Sequence, residues 1–205
     1  MISVQVPIIR LSVVEAKVLA VFHHDQHTSK SKISLDFKAH HRDTSSVPEI
    51  AYLSLGSNLG DRAANLRTAI SQLEPAGRVL AVSGFYETQP IDVIDQPWFL
   101  NCVIAVQTEK TARDLLRLAL TIEAAMGRVR LHKKGARNID IDIVLFGDQV
   151  VNEPGLKIPH PAMHQRRFVL EPLVEIAPNA RHPEKGQSAQ DLLASLPSPQ
   201  TVRRL

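Results

Sequence analysis

Residues 50–74, IAYLSLGSNLGDRAANLRTAISQLE, contain the first two elements with a clear periodicity. Ile50–Leu55 predicts a β-strand, which ends at the glycine-bounded turn Gly56–Gly60. Asp61–Glu74 predicts a helix, because an acidic residue stands in the first turn and apolar residues recur at helical spacing. The apolar residues that share one face of this helix are Ala63, Leu66, Ile70 and Leu73. The stretch therefore predicts a strand followed by an amphipathic helix.

The same periodicities continue towards the C-terminus and give the order of the remaining elements. We expect two strands, a helix and a further strand, over Val79–Thr88, Trp98–Thr108, Thr111–Met126 and Ile139–Phe146. The order β-α-β-β-α-β is the split βαβ arrangement of ferredoxin-like α+β folds. We therefore predict a ferredoxin-like sheet with helices on one face. A C-terminal tail of turns and short helices follows, over Met163–Leu173 and Ser188–Leu196.

The composition excludes several classes of protein. Of 205 residues, 44% are hydrophobic and 22% are charged, which is enough apolar material for a core and excludes a wholly disordered chain. The 24 Lys and Arg residues against 21 Asp and Glu residues give a net charge of +3, which by itself indicates neither nucleic acid nor an anionic membrane as a partner. Because Cys102 is the only cysteine, an intrachain disulfide and a cysteine zinc cluster are both excluded.

No membrane span or secretory signal is predicted. The most apolar early stretch, Leu11–Phe22, is interrupted by Glu15 and Lys17 and is shorter than the roughly 20 residues that a spanning helix needs. No basic run precedes it, as a secretory signal requires. We therefore predict a cytoplasmic protein.

Residues 1–48 differ from the rest of the chain and predict an N-terminal extension, with the main domain over 49–205. Five of the nine histidines lie in the extension, beside a Ser/Lys-rich piece at Thr28–Ser34. His23 and His27 would face each other at i, i+4 on a helix and could bind a metal ion. The alternative is a flexible or partly helical extension. The sequence assigns this segment no role.

The stretch with the clearest chemistry is Ile139–Ile143, in which isoleucine alternates with aspartate. Alternate side chains of a strand point to opposite faces, so the isoleucines face a core while Asp140 and Asp142 lie on the other face, about 6.6 Å apart along the strand. Two like charges on one face repel unless a cation lies near them, and carboxylate oxygens suit Mg²⁺. The alternative is an exposed strand face whose aspartates pair with neighbouring arginines.

The segment before this strand is strongly basic. Its six basic residues, with no acidic residue among them, are Arg128, Arg130, His132, Lys133, Lys134 and Arg137. Such a segment is often only a solvated surface, but beside two carboxylates it predicts a site for a metal–nucleotide complex, in which arginines bind phosphate oxygens. The sequence contains neither a P-loop motif nor a dinucleotide-binding glycine motif, so neither of these would hold the nucleotide.

Weaker signals stand elsewhere in the domain. His160 lies between two prolines, which suits a hydrogen bond to a phosphate or a ribose, or is only a rigid turn. Phe99, Asn101 and Phe168 could stack on and hydrogen-bond a flat heterocycle, although two phenylalanines are by default part of a core.

Taken together and in this order, these motifs resemble one family. The stretches that carry the resemblance are Leu55–Gly60, Phe85–Thr88, Asp95–Asn101, Gly127–Arg130, Ala136–Asp142, Pro159–Pro161 with Arg166 and Phe168, and Glu175–Pro178. The chain resembles the 6-hydroxymethyl-7,8-dihydropterin pyrophosphokinases of folate biosynthesis from about Ile50 to Pro183. The resemblance implies a ferredoxin-like enzyme that transfers pyrophosphate from ATP to the pterin hydroxymethyl group and releases AMP.

The resemblance also implies a role for individual residues. Asp140 and Asp142 match ligands of two Mg²⁺ ions and, with Arg128 and Arg137, form the catalytic set. The residues that match ATP contacts are Glu123, Arg128, Arg130, Arg137, His160 and Arg166. The residues that match the pterin pocket are Thr88, Phe99, Asn101 and Phe168. We expect a monomer that acts on these small molecules and binds neither nucleic acid nor a membrane.

Two other functions are kept as hypotheses. The chain could be a non-catalytic ferredoxin-like module that binds RNA or another polyanion through its basic segment. Against this, Asp140 and Asp142 would repel phosphate in the absence of a metal ion. The third hypothesis is a kinase that transfers a single phosphoryl group.

Overall fold

The computed structural model describes residues 47–90, 95–128, 135–197 and 200–205. The predicted extension over residues 1–48 lies outside the described residues, apart from Val47 and Pro48, and stays a prediction. The described strands are β1 (Glu49–Ser57), β2 (Arg78–Val82), β3 (Tyr86–Thr88), β4 (Phe99–Thr108), β5 (Asp140–Phe146), β6 (Val151–Glu153), β7 (Leu156–Ile158) and β8 (Val202–Arg204). The described α-helices are α1 (Arg62–Gln72), α2 (Ala112–Ala125), α3 (Arg167–Ile176) and α4 (Ala189–Ala194). Among the described residues, no helix is long and apolar enough to cross a membrane.

The strands form an antiparallel sheet in the order β5-β1-β4-β3-β8, with β2 paired to another part of β4. Strands β6 and β7 form a separate two-stranded ribbon. Helix α1 connects β1 to β2, and β4 lies between these two strands. This is the split βαβ arrangement, and the predicted ferredoxin-like α+β fold is confirmed.

The two faces of the sheet bury different helices. Helices α1 and α2 pack on one face, where Leu53 of β1 and Ile104 of β4 join a core with Leu66 and Leu115. On the opposite face, Val103 of β4 belongs to a second core, which α3 and α4 cover. The predicted helices of the split βαβ unit therefore share one face, and the C-terminal tail closes the other.

The predicted strand over Val79–Thr88 is interrupted, and Ser83 gives the reason. The backbone N–H of Ser83 still donates to the carbonyl of Val103 at 2.9 Å, but its hydroxyl, instead of a backbone carbonyl, accepts the N–H of Val103 at 3.0 Å. A side chain thus replaces the backbone partner, and the ladder divides into β2 and β3. The sequence also did not predict β8 or the β6-β7 ribbon, which are strands of three residues each.

The helix boundaries follow from local capping. The carboxylate of Asp61 accepts the N–H of Ala64 at 2.9 Å, and Thr111 caps α2 in the same way by accepting the N–H of Asp114 at 3.1 Å. Both residues begin the helices that the sequence predicts, Asp61–Glu74 and Thr111–Met126. Helix α2 buries Leu115 completely.

The burial of Cys102, the only cysteine of the sequence, can be tested by thiol labelling. Cys102 lies in β4 with none of its surface exposed, and burial raises its pKa to about 12. Because the thiolate is the reactive form, we expect no labelling of the native protein by an aromatic disulfide reagent at mildly alkaline pH, and one thiol per chain in concentrated guanidinium chloride. The unfolded thiol ionises near 9.0, so folding stability falls as the pH rises from there towards 12. Rapid labelling of the native protein would contradict this placement.

Candidate active site

The face of the sheet opposite α1 and α2 carries the two aspartates of β5. Ile139, Ile141 and Ile143 are buried in the core on the other side of the strand, while Asp140 and Asp142 are partly exposed. The alternation read from the sequence is therefore confirmed: three isoleucines point inward and two carboxylates point away from them.

Strand register places Asp140 in one row with a residue predicted to bind a heterocycle. Gly56 of β1 pairs with Asp140 on one side and with Asn101 of β4 on the other. Directly paired residues point to the same face, so Asp140 and Asn101 lie two strand spacings, about 9.6 Å, apart on that face. A Cβ atom at Gly56 would lie 2.6 Å from Oδ1 of Asn101. The glycine thus leaves the space that the Asn101 side chain occupies over β1.

Two arginines converge on Asp140. Nη1 of Arg128 contacts Oδ1 of Asp140 and also Oε1 of Glu123, and Nη1 of Arg137 lies 3.0 Å from Oδ2 of Asp140. The alternative that the sequence left open, aspartates paired with neighbouring arginines, is therefore what the structure shows at Asp140. Arg128 precedes the segment 129–134 and Arg137 follows it, so the site holds both ends of the basic segment. Arg130 lies outside the described residues.

Glu123 joins helix α2 to the start of β5. Its side chain is buried, and its Oε1 accepts the backbone N–H of Ile141 at 2.8 Å in addition to the contact from Arg128. A buried carboxylate that is paired with a guanidinium and bonded to the backbone holds both in place. Glu123 therefore orients Arg128 towards Asp140.

Asp142 and His160 face each other beside this cluster. Desolvation of the carboxyl group and then the charge of Asp140 raise the pKa of Asp142 to about 6, while burial and the charge of Arg166 lower the pKa of His160 to about 4. The His160 ring is thus neutral near pH 7. Its Nδ1 accepts the N–H of Ala162 at 3.2 Å, so the proton lies on Nε2, which is 4.0 Å from Oδ2 of Asp142. The backbone N–H of His160 donates to the carbonyl of Val144, which fixes the ring beside β5.

The residues predicted for a heterocycle pocket lie along β3, β4 and α3. Nδ2 of Asn101 donates to Oγ1 of Thr88 at 2.7 Å, and both side chains are buried. The guanidinium carbon of Arg137 lies over the Phe99 ring, 5.3 Å from the centroid of that ring. Phe168 lies near the start of α3, under the guanidinium of Arg166 at 5.5 Å. Each aromatic ring therefore has a cation beside it.

Comparison with known proteins gives the family. The family model for 7,8-dihydro-6-hydroxymethylpterin-pyrophosphokinase (HPPK) matches residues 52–178. The 2-amino-4-hydroxy-6-hydroxymethyldihydropteridine pyrophosphokinase of Methylorubrum extorquens is 44% identical over 157 residues, which cover 76% of this chain and 98% of that protein. This chain belongs to the HPPK family.

Longer proteins also contain a region that is similar to this chain. The folic acid synthesis protein fol1 of Schizosaccharomyces pombe is 44% identical over 160 residues, which cover 77% of this chain but 22% of that protein. A crystal structure of Plasmodium falciparum HPPK-DHPS superposes with a TM-score of 0.60 and 19% identity, over 74% of this chain and 45% of that chain. This likeness shows the fold. The chain thus spans only part of these two longer relatives.

Membership of the HPPK family identifies the class of reaction. Pyrophosphoryl transfer in folate biosynthesis, which the family resemblance implied, is the activity of the HPPK family and of this chain. The roles of the individual site residues stay predictions.

Asn58 belongs to this HPPK site, although the sequence motifs gave it no role of its own. Asn58 lies in the turn after β1, is 2% exposed, and hydrogen-bonds both to Arg137 and to the segment before Phe99. The turn Gly56–Gly60 was predicted as the end of the first strand and as part of a family motif, with no role for Asn58. The signal in the sequence is an asparagine in a glycine-bounded turn, but only the structure shows that this amide is buried and therefore needs several partners.

Proposed function

We propose that this HPPK chain transfers the pyrophosphoryl group of MgATP to the hydroxymethyl oxygen of 6-hydroxymethyl-7,8-dihydropterin and releases AMP. The observation that carries the proposal is the row Asp140–Gly56–Asn101. It sets a carboxylate flanked by two guanidiniums about 9.6 Å from a buried amide on the same sheet face. That separation suits a triphosphate bound at one end of the row and a pterin ring at the other.

Asp140 and Asp142 would hold Mg²⁺, and their chemistry fits that ion. Mg²⁺ is commonly bound by one or two carboxylates together with substrate phosphates. The charge of Asp140 contributes to the raised pKa of Asp142, so a cation between the two carboxylates would relieve their repulsion. Two Mg²⁺ ions, when bound, would neutralise charge on the triphosphate. The guanidiniums now on Asp140 would then turn to phosphate oxygens.

The basic residues are proposed to bind the triphosphate. Arg128 and Arg137 would contact phosphate oxygens from the two ends of the basic segment, as would Arg130 within it. Neutral His160 would donate from Nε2 to a phosphate oxygen, and Arg166 would supply a further positive charge. Glu123 would keep Arg128 in place through its backbone and guanidinium contacts.

The pterin is proposed to lie over the other end of the row. Phe99 and Phe168 would stack on the ring, and the Asn101 amide, oriented by Thr88, would hydrogen-bond its edge. Because all these residues come from one chain, we propose that the monomer is the active unit.

The reaction needs positioning and charge neutralisation more than a protein nucleophile. A bond forms between the hydroxymethyl oxygen and the β-phosphorus, and the bond from the β-phosphorus to the oxygen of the α-phosphate breaks. The hydroxyl proton is lost to solvent or to a carboxylate of the site, and the electron pair of the broken bond leaves with AMP. The arginines would stabilise the charge that develops on AMP.

The nucleotide product tests this function. We expect the purified protein, incubated with ATP, Mg²⁺ and 6-hydroxymethyl-7,8-dihydropterin, to form AMP and pterin diphosphate in equal amounts, measured by anion-exchange chromatography. Omitting the pterin is the control and should suppress AMP formation. Pterin-dependent ADP would instead mean transfer of a single phosphoryl group. Folded protein without turnover would favour the non-catalytic binding module.

A further inference from the structure

We infer that Asn58 is a positioning residue that holds the nucleotide side and the pterin side of the site in one geometry. This rests on the proposed function, because the two sides are defined by the ligands proposed for them. Asn58 follows β1 directly and lies buried between two segments that are distant in sequence, one ending the basic segment and one leading into β4. We assign it an effect that passes through the residues it holds.

On the nucleotide side, Asn58 fixes the backbone of Arg137. Its backbone N–H donates to the carbonyl of Arg137 at 3.1 Å, and its Oδ1 accepts the N–H of Arg137 at 2.8 Å. These two bonds satisfy both backbone groups of Arg137. The guanidinium of the same residue lies on Asp140 and over the Phe99 ring. Holding the Arg137 backbone therefore limits where its guanidinium can reach.

On the pterin side, the same amide holds the segment before β4. Nδ2 of Asn58 donates to the carbonyl of Pro97 at 3.1 Å and to Oε1 of Gln96 at 3.2 Å. Pro97 stands two residues before Phe99, the first residue of β4 and a proposed stacking partner of the pterin. One side chain thus fixes the approach to Phe99 and the backbone of Arg137 at once.

The chemistry of the partners explains why this position needs an asparagine. A backbone N–H can only donate and a backbone carbonyl can only accept, so Arg137 requires an oxygen and Pro97 requires an N–H. A short side chain that carries both is an amide. Aspartate would keep the acceptor for Arg137 and lose the donors to Gln96 and Pro97, whereas alanine would lose both. The two substitutions therefore separate the two sides.

Steady-state kinetics of Asn58→Asp and Asn58→Ala test this inference. For Asn58→Asp we expect the KM for the pterin to rise about tenfold and the KM for MgATP to stay within about twofold. For Asn58→Ala we expect both KM values to rise and kcat to fall about tenfold, because the Arg137 backbone N–H loses its side-chain acceptor and the guanidinium is positioned less well. The matched control is Asn152→Ala, which truncates an exposed asparagine of β6 and should leave both KM values unchanged.

A merely structural role for Asn58 predicts a different pattern. Loss of folded protein lowers kcat in proportion and moves neither KM, and this result would overturn the inference, as would a rise in the MgATP KM alone for Asn58→Asp. If Asn58→Ala does not fold, Asn58→Asp decides the question by itself. If the wild-type protein makes no AMP, the proposed function fails. In that case the Asn58→Asp variant is titrated with a non-hydrolysable MgATP analogue and with the pterin. We expect the Kd for the pterin to rise about tenfold and the Kd for the analogue to stay within about twofold.

Discussion

Replacing Asp140 with asparagine is expected to lower kcat for AMP formation about a thousandfold. The substitution preserves the shape of the side chain and removes its charge, so one proposed Mg²⁺ ligand is weakened. It also removes the carboxylate that Arg137 contacts and one of the two that Arg128 contacts, since Glu123 stays beside Arg128. The charge that develops on the triphosphate would then be stabilised less well, because Mg²⁺ would be held less firmly and Arg137 would be less ordered. Rapid-quench assays with saturating pterin and MgATP measure this effect.

The control for this variant is Asp148→Asn, an exposed aspartate in the turn after β5. We expect wild-type kcat for Asp148→Asn and native melting behaviour for both variants. Binding of a polyanion such as heparin should be unchanged or stronger in Asp140→Asn, because a negative charge is lost from a basic surface. AMP formation by Asp140→Asn within about tenfold of the wild type would rule out Asp140 as a metal ligand and leave it as a partner of arginines.

Replacing Asn101 with alanine is expected to raise the KM for the pterin about a hundredfold while the KM for MgATP stays within about twofold. Asn101 is buried in the row that leads from Asp140, and Thr88 accepts a hydrogen bond from its amide. Truncation removes the group proposed to hydrogen-bond the pterin edge. It also leaves the polar edge of the bound pterin without that partner in a buried pocket, which is why the effect exceeds that of a lost surface hydrogen bond. Initial-rate measurements that vary one substrate at a time separate the two constants.

Two further variants make this result specific. Thr88→Val removes the partner that orients the Asn101 amide, so we expect a smaller rise in the same constant. Asn152→Ala changes an exposed asparagine of β6 and should change neither constant. Equal increases in both KM values for Asn101→Ala would contradict a pterin-specific role and would indicate a general disturbance of β4.

Local patterns predicted much of the fold and several parts of the site. The helix over Ala112–Ala125 was predictable because Thr111 is a good cap and its apolar stripe has helical spacing. The opposite orientation of the aspartates and isoleucines in β5 followed from strand geometry alone. Local patterns did not predict the break between β2 and β3. It depends on a hydrogen bond from the Val103 N–H to the hydroxyl of Ser83, which lies 20 residues away in the chain. Local patterns also did not predict β8, whose three residues show no periodicity by themselves.

The family resemblance, the split βαβ order and the two carboxylates beside a basic segment could be predicted from the sequence, because each is built from short motifs or periodic patterns that can be read one at a time. The structure was needed to show that Asp140, Gly56 and Asn101 form one row, that Arg128 and Arg137 both lie on Asp140, and that Asn58 joins two distant segments. The physical reason is that side-chain periodicity reports which face a residue occupies. It does not report which strands become neighbours or in what register, and the pairing of β1 with β4 and β5 supplies both.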